Sequence, residues 1–307
     1  MKPKFGIFIN SHSTTVAEQL SFSGYDWLLV DMQHGPMEPT LLSTMLAAIS
    51  NGGARSMVRV GGAADRDGIQ QALDLGADGI LIPYVNTAAE AAAGISCALY
   101  PTAGTRSVYF PQRSMDQKGL LGYAGVHNDN TIVAIQVETA SCIENIAEIA
   151  ALPGLDMLFL GQNDLCMSMG LYEKYQYPEM YFSPELNAAT EKLIANANKN
   201  GIILGLFLFG TERVGEFLDK GFPFISIGND LHHVLTQTGA HIAALTDISV
   251  RLLSCNAAIA TSRSARFKPS LTGANYCCCL LLFAVVLTRP RLVNHGNRWP
   301  RVRLSSK

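Results

Sequence analysis

Asp26-Trp27-Leu28-Leu29-Val30-Asp31-Met32-Gln33-His34-Gly35-Pro36 is the segment that decides the fold. Four apolar residues in a row, bounded by acids, read as a strand buried on both faces, as in a parallel sheet. The run ends in a polar cluster, Asp-x-Gln-His-Gly-Pro, before a helical pattern opens at Glu38. A histidine three residues past a buried strand stands where an α/β protein keeps its chemistry. The competing reading is a histidine that only hydrogen-bonds loop backbone. Later strand ends are built alike and weigh against it.

On either side of this segment strand and helix patterns alternate. Strands are expected at Phe5–Asn10, Trp27–Asp31, Ser56–Val60, Gly79–Tyr84, Ile132–Glu138, Met157–Gly161, Ile202–Leu208 and Phe224–Gly228. Helical patterns fall between them, the last over Asp230–Leu245, with a weak helical region up to residue 127. Glycines such as Gly76 and Gly201 stand between helix and strand, where a glycine past the last turn ends a helix. Eight strand–helix units over about 245 residues match an α/β (β/α)₈ TIM barrel. A doubly wound open sheet is the alternative. It would offer a Gly-rich phosphate loop after the first strand, and Asn10-Ser11-His12-Ser13 is not one.

Composition agrees with one large core: 48% of the 307 residues are hydrophobic. The net charge of −2 conceals two segments. Residues 1–250 hold 13 Lys and Arg against all 25 acids, whereas 251–307 hold 10 basic residues and no acid. A barrel domain over 1–250 and a basic extension over 251–307 are therefore expected. Of the seven cysteines the first three, Cys97, Cys142 and Cys166, show no CxxC spacing and no paired framework, which fits a reducing, cytoplasmic setting. The N-terminus turns polar too soon for a signal-peptide core. Neither a nucleic-acid partner nor a transmembrane span is expected.

In a barrel every strand's C-terminal end faces one mouth, so distant residues converge there. Those ends carry Asp31, His34, Arg59, Gln136, Glu138, Asn163 and Asp164. Two carboxylates from neighbouring strands, Glu138 and Asp164, make an oxygen-rich site suited to Mg²⁺ or Mn²⁺. The alternative for Glu138 is a rim salt bridge with Arg59. No lysine lies at an expected strand end, so carbonyl chemistry would use a metal rather than a Schiff base. Cys166, two residues past Asp164, reads as loop packing.

At this point the chain resembles the HpcH/HpaI family of metal-dependent 2-oxo acid aldolases, such as 4-hydroxy-2-oxoheptanedioate and 2-dehydro-3-deoxyglucarate aldolases. The matching pieces are Gly24-Tyr25-Asp26-Trp27 running into Asp31-Met32-Gln33-His34-Gly35, then Val58-Arg59-Val60 and Tyr100-Pro101-Thr102-Ala103-Gly104-Thr105-Arg106-Ser107. Gln136-Val137-Glu138-Thr139 and Phe159-Leu160-Gly161-Gln162-Asn163-Asp164-Leu165 follow in the family's order. The resemblance implies a divalent metal (Mg²⁺, Mn²⁺ or Co²⁺) on Glu138 and Asp164, which chelates pyruvate or its enolate. It implies Arg59 on the enolate oxygen and backbone amides around Asn163 and Asp164 on the substrate carboxylate, with Gln136 also at the substrate. His34 would act as general acid/base through a water on the metal. The family orients that histidine with an acid from a neighbouring subunit, here Asp74, while Asp31 supports the loop. A homo-oligomer, a hexamer by resemblance, follows.

Three departures stand out: Gln162 replaces the family proline, Gln33 stands where many members carry Glu, and the chain starts almost at the first strand. Residues 251–307 do not resemble the family. Their apolar run, Tyr276–Leu287, is shorter than the roughly 17 residues that span a bilayer. The tail reads as a disordered or spurious extension, with a membrane-surface or partner contact as the alternative. Two other functions compete. One is a citrate-lyase-β or malyl-CoA-lyase-like enzyme, which would want a basic mouth for the CoA phosphates. The other is an inactive barrel serving as a binding module, which would be expected to lose one of His34, Arg59, Glu138 or Asp164.

Overall fold

A computed structural model of the chain describes residues 2–35, 38–108 and 127–263, with side chains as far as 252. Eight parallel strands pair in sequence order: β1 (Lys4–Ile9), β2 (Trp27–Asp31), β3 (Arg55–Arg59), β4 (Gly79–Ile82), β5 (Ile132–Val137), β6 (Met157–Leu160), β7 (Ile203–Leu208) and β8 (Phe224–Asn229). The barrel closes where β1 returns to β8, through Lys4↔Phe224 and Phe5↔Ile225. Each strand lies within two residues of its expected bounds.

Alternation along each strand divides the core in two. In β2 the even positions, Leu28 and Val30, face the helices, while Trp27 and Leu29 join Phe8, Met57, Phe159 and Phe224 inside the barrel. All five β2 residues are buried, as a strand covered on both faces requires. Gly6 makes room for the largest of them: a Cβ there would stand 2.2 Å from the Trp27 ring. Trp27 in turn stacks on Phe224 at 4.3 Å.

Around the strands run α1 (Thr14–Ser21), α2 (Pro39–Ile49), α3 (Arg66–Asp74) and α4 (Ala88–Ala98), then α5 (Ala140–Glu144) and α6 (Ile146–Ala150). Beyond β6 come α7 (Gln162–Ser168), α8 (Leu171–Lys174), a 3₁₀ turn at Glu179–Phe182, and α9 (Pro184–Asn200). The last two are α10 (Val214–Asp219) and α11 (Asp230–Arg263). Side chains start several of them. Asp65 accepts from the Gly68 amide, and Thr87 and Glu90 form a reciprocal capping box, devices each worth about 1 kcal/mol. Asp230, at the start of α11, accepts from the amides of Asn10 and Ser11 at 2.8 and 3.2 Å. That fixes how the chain leaves β1.

Two differences from the sequence reading are local. The helical pattern expected between the fifth and sixth strands forms as two short helices, α5 and α6, meeting at Asn145. The last helix does not end at Leu245 but continues to Arg263. The chain divides into two units, Met1–Ala243, which holds the barrel, and Ala244–Lys307. The expected weak helix before residue 127 and the tail beyond 263 lie outside the described residues. Among the described residues no helix is long and apolar enough to cross a membrane.

Candidate active site

The mouth of the barrel is organised by Asp31. Asp31 and Arg59 are register partners on adjacent strands, so both side chains arrive at the same height. The carboxylate is fully buried and takes two parallel bonds from Arg59, Nε to Oδ1 at 2.9 Å and Nη2 to Oδ2 at 2.6 Å. Asn10 donates to Oδ2 at 2.7 Å, and the amides of Gln33 and His34 reach Oδ1 at 3.1 and 3.4 Å. Burial alone would raise this carboxyl, but the Arg59 hydrogen bonds and charge outweigh it and hold Asp31 below the ordinary carboxylate range. One acid therefore fixes the arginine and the loop that carries His34.

Arg59 has one edge left. Its Nη1 reaches Gln136 Oε1 at 3.4 Å, and its guanidinium lies 5.2 Å over the Phe8 ring. Gln136 then donates from Nε2 to Glu138 Oε2 at 2.5 Å, and the Tyr84 amide donates to Oε1 at 2.6 Å. Tyr84 stands in the left-handed region, φ 59°, which turns its amide onto the carboxylate. The rim salt bridge between Glu138 and Arg59 does not form: Asp31 takes the arginine and Gln136 stands between. Burial pushes Glu138 up to about 7; the Tyr84 bond works against this and the charge of Asp164 adds to it. Asp164 comes from the first turn of α7, which Gly161 caps without a side-chain bond. Asn163 beside it accepts a hydrogen bond from the Tyr181 hydroxyl.

Asp31, His34, Arg59, Gln136, Asn163 and Asp164 line one cavity of about 640 Å³, inside the range that holds small ligands. Glu138 does not line it. Its carboxylate is held by Gln136, which does line it, and by the Tyr84 amide, and a Cβ on Gly161 would come within 3.0 Å of Glu138 Cβ. Among the described residues no group of three or more His, Cys, Asp or Glu is gathered as a metal site.

The model for the HpcH/HpaI aldolase/citrate lyase family matches residues 4–236, nearly the whole barrel. The chain belongs to this family. It is 34% identical over 240 residues to a 2-dehydro-3,6-dideoxy-6-sulfogluconate aldolase of Pseudomonas putida, covering 78% of this chain and 91% of that one. A hydroxypyruvate/pyruvate aldolase of Paraburkholderia phytofirmans is 31% identical, with 77% and 90% covered. Among solved structures, an HpcH/HpaI family protein from Burkholderia cenocepacia superposes with a TM-score of 0.72 at 27% identity, covering 80% of this chain and 95% of that one.

Gln162, in place of the family proline, opens α7 at its first position. Proline is favoured there because the amide is unpaired anyway, so glutamine keeps the helix. Asp74 is not brought to the cavity within one chain. It sits at the end of α3, where Arg106 Nη2 donates to Oδ1 at 2.5 Å. Arg106 is buried, stacks 4.6 Å over Tyr100 and contacts His127. Burial, helped by the Arg106 charge, pushes His127 down to about 3 and keeps it neutral. Cys166 is buried and packed, as expected, but within α7 rather than in a loop; burial raises its thiol to about 11.

The sequence reading missed Asn10 and the aromatic lining from Phe8, Phe159, Tyr181 and Phe207. Asn10 carried a usable signal, a polar residue ending a strand like Asp31. The aromatics carried none: Phe8, Phe159 and Phe207 lie in strands, where a ring reads as core, and Tyr181 lies in a short 3₁₀ turn with no pattern of its own.

Proposed function

We propose that this chain is a divalent-metal-dependent aldolase that cleaves a 4-hydroxy-2-oxo acid to pyruvate and an aldehyde. The observation that carries the reading is Arg59, held bidentate by buried Asp31 with one edge turned to the cavity that Asp164 and His34 also line. The donor set suits Mg²⁺, Mn²⁺ or Co²⁺: Glu138 is a buried carboxylate whose ionised form is disfavoured by burial and by a second carboxylate. A cation relieves that cost. Glu138 and Asp164 would hold it, with the Gln136 hydrogen bond at Glu138 Oε2 exchanged for ligation. When bound, the cation supplies Lewis-acid polarisation of the substrate's keto oxygen.

This chain's residues do the rest. Backbone amides around Asn163 and Asp164 take the substrate carboxylate, and Gln136 helps to orient the keto acid. His34 accepts the proton of the C4 hydroxyl, through one water, as the C3–C4 bond breaks. The electron pair of that bond passes to C3 and the keto oxygen, so C4 leaves as an aldehyde. Arg59 donates to the oxygen that becomes anionic, which lowers the barrier because that charge grows only in the transition state. A proton returned to C3 gives pyruvate. The family resemblance further supports a homo-oligomer, a hexamer, with Asp74 of one subunit orienting His34 of the next.

Pyruvate release from a panel of 4-hydroxy-2-oxo acids tests the reading. EDTA is expected to abolish turnover and Mg²⁺, Mn²⁺ or Co²⁺ to restore it. Full activity in excess chelator, or inactivation by borohydride in the presence of pyruvate, would replace it with a Schiff-base mechanism.

A further inference from the structure

The cavity extends past the residues that handle the keto acid, and bond cleavage makes no use of its outer half. Three rings lead there from inside the barrel. Phe8 and Phe207 meet edge to face at 5.5 Å and 87°, and Phe207 and Phe209 at 5.1 Å and 90°. Phe209 is 39% exposed, so its apolar surface is open at the mouth. Tyr177 and Tyr181, from the segment after α8, add a second edge-to-face pair at 5.8 Å. Both sets line the cavity.

Charge points the same way. Among the described residues lining the cavity the arginines are Arg59 and Arg213, and there is no lysine. Arg59 is committed to Asp31. Arg213 gives Nε and Nη2 to the two oxygens of Glu216, at 2.8 and 3.0 Å, and lies 4.7 Å over the Phe182 ring. Glu212 and Asp164 add carboxylates to the lining. An anionic group carried far from the keto acid would lose water here and find acids, with each arginine already paired. A CoA phosphate would meet the same mismatch. A flat uncharged body would instead cover open ring surface, and each aromatic contact contributes beyond the area it buries.

Resting on the aldolase reading, we propose that the outer half of the cavity is the aldehyde subsite and that it selects uncharged aldehydes with an aromatic or apolar body over anionic ones. Phe209 and Tyr177 are the residues that set this preference.

The test uses the full chain supplied with Mg²⁺, and follows aldol addition of pyruvate to benzaldehyde, butanal and succinic semialdehyde. The last two share a four-carbon chain and differ in charge. Exchange of the pyruvate methyl protons into D₂O, followed by NMR without any aldehyde, reports enolate formation separately. The kcat/KM for benzaldehyde is expected to exceed that for succinic semialdehyde by about tenfold or more, a difference of about 1.4 kcal/mol, with butanal between them. Phe209→Ser and Tyr177→Ser are each expected to cut the benzaldehyde-to-semialdehyde ratio by at least roughly threefold, on the scale of one aromatic contact. Both residues are exposed, so folding is not at stake. Methyl exchange with succinic semialdehyde as the equal or better acceptor would overturn this inference and leave the aldolase reading standing. No methyl exchange at all would overturn both.

Discussion

Asp31 carries more of the site than any other residue. Five donors converge on its carboxylate, two of them from one buried guanidinium. Asp31→Asn keeps the shape but leaves the Arg59 charge uncompensated, and breaking a buried pair from one side costs about 3–5 kcal/mol. Urea unfolding of the two proteins at pH 7 measures that loss. Its pH dependence has a definite sign. The folded-state pKa of Asp31 is depressed, so its contribution is fully present above the unfolded value of about 3.9 and fades as pH falls through the lower folded value. The gap between wild type and Asp31→Asn should therefore be constant near neutrality and close in acid. His34 and Glu138 separate by a different measurement. His34 is exposed and proposed to move a proton, whereas buried Glu138 is proposed to hold the metal. His34→Ala should lower cleavage by roughly 10²–10⁴-fold while Mn²⁺ titration stays close to wild type. Glu138→Ala should lose the metal. If both lose it equally, His34 is a ligand and its acid/base role falls.

At the scale of elements, the strands were legible and their partnerships were not. The run Trp27–Asp31 is apolar because both its faces are covered, a pattern that survives any change of neighbours. Which carboxylate meets Arg59 depends instead on register. Asp31 is level with Arg59 on the adjacent strand, while Glu138 follows β5, two strands from β3. Residue spacing carries no register, so the sequence left Glu138 open as the arginine's partner. The chain after β6 was hard to read for another reason: α7, α8 and the 3₁₀ turn have only 7, 4 and 4 residues, too few for a helical period to emerge. Gly161, at the β6–α7 joint, is a glycine because its neighbours leave no room for a side chain. A Cβ there meets Glu138 Cβ at 3.0 Å and Gln136 Nε2 at 3.1 Å, both in the least yielding part of the site. Gly161→Ala should fold, since φ is −99°, yet displace the Gln136–Glu138 pair by a few tenths of an ångström. A misplacement at a reacting centre lowers kcat by as much as about 10²-fold. Steady-state kinetics and a thermal melt on one preparation check the two halves; wild-type kcat would show that the pair has room to move.

For the whole molecule the open question is what one barrel lacks. His34, Arg59 and Asp164 share a cavity, but Asp74, the acid that the family resemblance pairs with His34, is on Arg106 at the end of α3 and outside that cavity. The α11 helix also shows exposed apolar side chains, among them Leu231, Val234 and Leu235, as an interaction surface would. Both observations agree with a site completed by a second copy. Subunit mixing decides it. His34→Ala and Asp74→Asn should each be nearly inactive alone, and asparagine can still accept from Arg106, so the variant keeps a local bond. In a hybrid, a subunit with Asp74→Asn contributes His34, and its neighbour with His34→Ala contributes Asp74. One whole site is rebuilt. Random equal mixing in a closed symmetric assembly should restore roughly a quarter of the wild-type sites. The two variants are dissociated, mixed and reassembled, and pyruvate release is compared with each variant treated alone. Recovery on mixing requires the acid to act across an interface. If the mixture is no more active than its parts while native mass spectrometry shows hybrids, Asp74 serves its own subunit, through Arg106, and the shared-site reading is wrong.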